Sequence, residues 1–176
     1  MPATIDATVG GASANSYVTL AAANTYFETV PDSSTWTDKT DDQKNRALIS
    51  ATRWIDALNF YGDRCDDTQA LKWPRDNYTV DGIDLACTLI PDGIKNATYE
   101  LARSLANDTD AITGSTGTTG IYDEVALGDL KVKYNKSSQT SGLINNVFDV
   151  YPWLQSYLGA YCIGGASNYP VRLYRG

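Results

Sequence analysis

The chain has 176 residues, 43% of them apolar and 20% charged, an ordinary makeup for one globular domain with an appended arm. Its net charge is −7, unevenly spread: residues 1–110 hold 17 acids against 9 bases (−8), and residues 111–176 hold 4 against 5 (+1). An acidic body argues against phosphate-driven binding of nucleic acid, where Lys and Arg supply most of the affinity, and it suits a surface past which DNA slides without sticking. Histidine is absent, which removes the commonest general base and metal ligand.

Twelve tyrosines and four tryptophans stand against three phenylalanines. Each pairs a large apolar body with a polar tip, which serves either a small core or a surface buried on assembly. Cys65, Cys87 and Cys162 are widely spaced and form no Cys-x-x-Cys, so the expectation is reduced thiols rather than a disulfide frame or a zinc site. The first residues carry no basic region followed by an apolar run, and no stretch of about 18 apolar residues occurs. Neither an export signal nor a membrane span is expected.

The first helix is expected after Thr19, over Leu20–Phe27, with Thr19 as its cap. A longer one follows from about Asp41 to Leu58, capped by Thr40 or Asp41, with Asp42 in the first turn where the helix dipole favours negative charge. Its residues Leu48, Ala51, Trp54, Ile55 and Leu58 recur at three- and four-residue spacing, which predicts one buried stripe.

Next comes an apolar and basic knot, Gln69-Ala70-Leu71-Lys72-Trp73-Pro74-Arg75. Pro74 fixes its own φ and restricts Trp73, and Arg75 presents a planar fork of donors on the stiffened loop. Two readings stay open: Trp73 caps the helix pair while Arg75 bonds a loop carbonyl, or the knot touches another subunit. A turn is expected at Asp81-Gly82. Pro91 then suits the first turn of a third helix that runs to about Ala106 and buries Ile94, Ala97, Leu101, Ala102 and Leu105.

Residues 107–120 change to small, polar and Gly-rich, which predicts a flexible connector, because such residues bury too little apolar area to offset their ordering entropy. The Gly-Lys-Ser/Thr ending of a phosphate-binding loop is missing. Leu130–Tyr134 alternates strictly and predicts a half-exposed strand; Pro152–Leu158 opens a last helix; Gly164-Gly165 releases an extended tail. The expected fold is mainly α: a small helical bundle with a short β element and an extended C-terminal arm. It divides into a body (1–106), the connector (107–120), and a strand, last helix and arm (121–176).

No arrangement for chemistry accompanies these elements. Asp41-Asp42 and Asp66-Asp67 are adjacent pairs whose side chains diverge, and Asp63, Asp66 and Asp67 lack the ligand spacing of a calcium loop. No Gly-x-Ser-x-Gly elbow occurs, and no His is present to partner a serine. An enzyme is not expected, nor a cofactor or metal.

Several features occur in one order: Ser16-Tyr17-Val18-Thr19-Leu20 leading into Ala-Asn-Thr-Tyr-Phe (23–27), the helix Ala47-Leu48-Ile49-Ser50-Ala51-Thr52-Arg53-Trp54-Ile55-Asp56, the Ala-Leu-Lys-Trp-Pro-Arg stretch (70–75), Ile90-Pro91 before a helix, and the terminal Val171-Arg172-Leu173-Tyr174-Arg175-Gly176. In this order and spacing the chain resembles the head–tail adaptor (connector) proteins of tailed bacteriophages, a family also labelled DnaT-like single-stranded-DNA-binding proteins. The resemblance implies a helical body that assembles as a ring, typically of twelve copies, at the head–tail junction of the virion. Such a ring is made from subunits synthesised in the host bacterial cytoplasm. It joins the portal protein to a tail tube or nozzle protein and leaves a channel for genomic DNA. Candidate contacts with the portal or a neighbouring subunit are Leu71, Trp73 and Arg75 in the knot, and Val171, Arg172, Leu173, Tyr174 and Arg175 in the arm. The alternative is a single-stranded nucleic-acid binder, which needs a basic groove beside stacking aromatics. The aromatics are present; the basic residues suited to such a groove are Lys131, Lys133 and Lys136.

Overall fold

The computed structural model describes residues 2–107 and 147–163, together with the backbone of strands at 124–127 and 130–133. Within these residues the fold is mixed and mainly helical. Thr19 caps α1 (Leu20–Glu28) by accepting the Ala22 N–H at 3.1 Å. A single turn, α2 (Ser34–Thr37), is held by Trp36, which is buried and donates its indole N–H to Asn24 at 3.0 Å. The longer α3 (Asp41–Asp56) opens on a reciprocal cap: the Gln43 N–H donates to the Thr40 hydroxyl and the Gln43 side chain accepts the Thr40 N–H.

The chain then forms two short antiparallel pairs. β1 (Asp63–Arg64) pairs with β2 (Arg75–Asp76), and β3 (Thr79–Val80) pairs with β4 (Ile83–Asp84). Gly62, at φ +73°, lets the chain pass so close to the first pair that a Cβ there would collide with the Asp76 carbonyl. Asp81 (φ 51°) and Gly82 (φ 78°) are both left-handed, as a two-residue type I′ hairpin requires, so the turn expected at Asp81-Gly82 closes β3 onto β4.

α4 (Asp92–Asn107) starts one residue after Pro91, whose carbonyl accepts the N–H groups of Ile94 and Lys95. It packs chiefly on α3, and the two supply most of the core. Leu48, Ala51, Ile55, Ile94 and Leu101 are fully buried, and Leu58 and Leu105 nearly so. Trp54, expected in the same stripe, is only partly buried. At about 100° of turn per residue it sits at the edge of the face centred on Leu48 and Ile55. Thr52 takes the buried place instead, with its hydroxyl accepting the Tyr17 N–H at 3.2 Å.

β5 (Glu124–Leu127) and β6 (Leu130–Lys133) form an antiparallel hairpin that includes most of the strand expected at 130–134. The described chain resumes with α5 (Val147–Val150), a 3₁₀ turn (Pro152–Leu154) and α6 (Gln155–Leu158), which packs on α4 through the buried Leu158. Phe60 and Cys162 then pair antiparallel. The connector over most of 107–120, and the arm with Val171, Arg172, Leu173, Tyr174 and Arg175, lie outside the described residues.

The cysteine expectation needs correction. Cys65 and Cys87 form a disulfide, with Cα atoms 5.6 Å apart across 22 positions of sequence, because the two short strand pairs fold the intervening chain back on itself. Cys162 is free and buried, and burial pushes its thiol pKa up to about 12. At neutral pH it is an inert hydrophobe.

Candidate functional site

The knot at 69–75 sits where the N-terminal loop, the end of α3 and the final turns meet. Trp73 is 1% exposed, its ring edge-on to Phe60 (centroids 5.5 Å) and to Tyr161 (5.6 Å). It presents almost no surface outward and packs as a core residue. The Trp73–Pro74 peptide is cis, which the sequence did not signal. Leu71 is partly buried against the core. Arg75 spends its fork on backbone carbonyls, from Nε to Tyr61 at 2.7 Å, from Nη1 to Lys72 at 3.3 Å and from Nη2 to Gly62, while partial burial lowers its pKa.

Two further residues organise the loop. Gln69, 2% exposed, donates to the carbonyls of Leu71 at 2.7 Å and Pro74 at 3.1 Å, and its own oxygen accepts the Asp66 N–H at 3.1 Å. Asp56, at the end of α3, accepts the Lys72 N–H at 2.7 Å and the Tyr17 hydroxyl. One carboxylate thereby ties the N-terminal loop to the knot, and the Ala70 N–H adds a bond to the Gly11 carbonyl. Gln69 opens the knot and Asp56 closes the Ala47–Asp56 stretch, yet only the folded arrangement reveals what each holds.

The Tyr17 tie carries a pH signature. Burial, and then the negative Asp56 beside it, raise the Tyr17 pKa well above 10.0; burial likewise raises Tyr26, Tyr78, Tyr99 and Tyr161. The unfolded chain releases these protons near pH 10 while the folded chain keeps them, so the stability present below pH 10 is lost as pH rises above it. Urea midpoints are expected to hold up to pH 9 and fall beyond pH 10, with a shallower fall in Tyr17→Phe. An equal fall in the variant would remove Tyr17 from this account.

Beside the knot lies a cleft of about 600 Å³, lined by Asn59, Phe60, Asp63, Arg64, Asp67, Lys72, Arg75 and Ile163. Its three cations meet no carboxylate within ion-pair distance among the described residues: Lys72 donates to the Leu58 carbonyl at 2.7 Å, and Arg64 donates to the Gln69 carbonyl. The exposed rings of Tyr61 and the partly buried Tyr78 stack close by, 5.0 Å between centroids and 20° between planes. A second cleft, about 380 Å³, lies between α4 and the last turns, where Glu100 holds Arg103 at 2.6 Å and accepts the Tyr26 hydroxyl at 2.9 Å. No group of three or more Cys, Asp or Glu residues is placed to hold a metal among the described residues.

The outer surface is acidic. Glu28, Asp32, Asp38, Asp41, Asp63, Asp66, Asp67, Asp76, Asp81, Asp84 and Asp92 are exposed, whereas the exposed bases of the described body are Arg46, Arg53 and Arg64. Across its whole length, residues 1–176, the sequence matches the family described as "Putative DnaT-like ssDNA binding protein". The chain belongs to this family. It matches no curated protein and no solved structure. Within the described residues of this DnaT-like family member, no helix is long and apolar enough to cross a membrane.

Proposed function

We propose that the chain is a structural virion protein, a head–tail adaptor that forms a ring, twelve copies in the family it resembles, beneath the portal of a tailed phage. The observation that carries this reading is the distribution of charge. Eleven carboxylates of the described body stand outward while Lys72 and Arg75 are turned onto backbone carbonyls. A surface of that kind repels phosphates, which suits a channel that DNA must traverse without adhering. The finer architecture belongs to the same proposal: a helical bundle whose connector and C-terminal arm reach neighbouring subunits, the portal or a tail tube or nozzle protein. The site of action is then the head–tail junction, with subunits made in the host cytoplasm, and no catalysis is involved. Electron microscopy of the full chain mixed with its cognate portal tests it. Rings stacked on the portal are the expected result, and a chain that remains monomeric and ignores the portal would overturn the reading.

A second reading, binding of single-stranded DNA, is favoured by the family's description and by the stacked Tyr61–Tyr78 pair beside Arg75. Anisotropy of a labelled oligonucleotide at low salt decides it. Binding that weakens steeply with salt would support it, and no binding at low salt would end it.

A further inference from the structure

The tip of the β3–β4 hairpin faces open space. A Cβ built on Gly82 at its tip meets nothing within 4 Å, and Ile83 beside it is 71% exposed, the most exposed large apolar residue of the described chain. Exposed Asp81 and Asp84 flank that isoleucine. The hairpin is therefore a short tab with an apolar tooth between two negative charges. A single exposed isoleucine is ordinary on a protein surface; here it is its place between two charges on a stiff I′ turn that gives the tab a shape a complementary cleft can recognise.

The cleft beside the knot has the complementary character. Phe60 and Ile163 (56% exposed) line it, and Arg64, Lys72 and Arg75 supply positive charge with no carboxylate in ion-pair distance among the described residues. Lys72 and Arg64 each use one N–H on a carbonyl, which leaves further donors for an incoming anion. Asp63 and Asp67 also line the cleft, so its balance is three positive against two negative charges. That suits one or two carboxylates on a peptide and disfavours a run of phosphates, which would also meet exposed Asp66 and Asp76.

We infer that the Asp81–Asp84 tab of one copy docks in the Arg64–Lys72–Arg75 cleft of a neighbouring copy. Ile83 enters against Ile163 and Phe60, and Asp81 and Asp84 reach the free donors. Tab and cleft are different patches, so the contact is head-to-tail and can repeat from copy to copy, which is how a ring closes. Each contact is small, and repetition supplies the strength. The inference rests on the ring reading above, and names the surface by which copies of the chain would meet.

The test uses the full chain with Ile83→p-benzoylphenylalanine, mixed with an isotope-labelled wild-type copy and irradiated. The expected result is an adduct between copies that maps to the peptides around Phe60–Arg75 or Ile163. No adduct between copies, or one mapping elsewhere, would overturn the inference. Charge exchange gives a second readout by sedimentation. Asp81→Lys with Asp84→Lys, and separately Arg64→Glu with Lys72→Glu, should each weaken self-association at least tenfold. An equimolar mixture should regain it, because each variant's tab then suits the other's cleft. Should the cleft variant fail to fold, Ile83→Ser on the open tab keeps the test decisive: unchanged self-association would sink the contact. If Ile83→Ser rings on the portal as well as wild type, this contact falls and the adaptor reading stands. A mapped adduct without portal rings would do the reverse.

Discussion

Replacing Trp73 by alanine is expected to lower the stability of the body by about 3–5 kcal/mol, the range for deleting a fully buried large aromatic. The ring is 1% exposed and packs edge-on between Phe60 and Tyr161, so its loss opens a cavity exactly where three segments converge. Those segments are the loop after α3, the knot and the chain that follows α6. Because domains of this size are stable by only about 5–15 kcal/mol, the variant should unfold at much lower urea, or fail to fold. Circular dichroism against urea measures this without relying on the deleted fluorophore. A variant of wild-type stability that has lost only ring formation would instead assign Trp73 to a contact between subunits.

The second large effect belongs to the Cys65–Cys87 disulfide. Closing a loop across 22 positions restricts the unfolded chain by about 3 kcal/mol in the chain-entropy account. Cys65→Ala with Cys87→Ala should therefore lower Tm by about 6–12 °C for a chain of this length. A thiol reductant should reproduce that shift in the wild type and leave the double variant unmoved. A wild-type Tm indifferent to reductant would remove the bond from the account. The bond closes the knot, β2 and the β3–β4 hairpin into one covalent loop that begins just after β1, so its opening should loosen the tab and the cleft together. In a reducing medium the two thiols are expected to stay open, and to close on exposure to an oxidising one.

How far the sequence could be read follows from the length of each signal. α1, α3 and α4 announce themselves through caps and three- to four-residue periodicity, and their starts fall within a residue of the expected places. α2 has four residues, too few for a period, and Ser33 before it makes no side-chain cap. Its existence depends on Trp36 finding the core. The strand pairs β1–β2 and β3–β4 contribute two residues per strand, too short for alternation to show, so only the Asp81-Gly82 turn was legible. The disulfide was hidden by an odd cysteine count and by a pairing that only the folded-back chain creates. In the candidate site, Arg75 was legible as a donor beside a stiff proline. Gln69 and Asp56 were not, because their importance lies in which carbonyls and N–H groups the loop turns toward them.

The acidic exterior also governs how copies behave in solution before any specific contact forms. At about 0.01 M salt the screening length is roughly 30 Å, so molecules of like charge repel across distances comparable to their own size. Near 0.15 M it shrinks to about 8 Å, and repulsion survives only close to contact. A chain of net charge −7 is thus a colloid kept dispersed by its own counterion cloud. Any contact that joins copies must overcome a barrier set by ionic strength. Subunits can accumulate at high concentration without clumping, and a surface that gathers them in register supplies the proximity that free diffusion withholds.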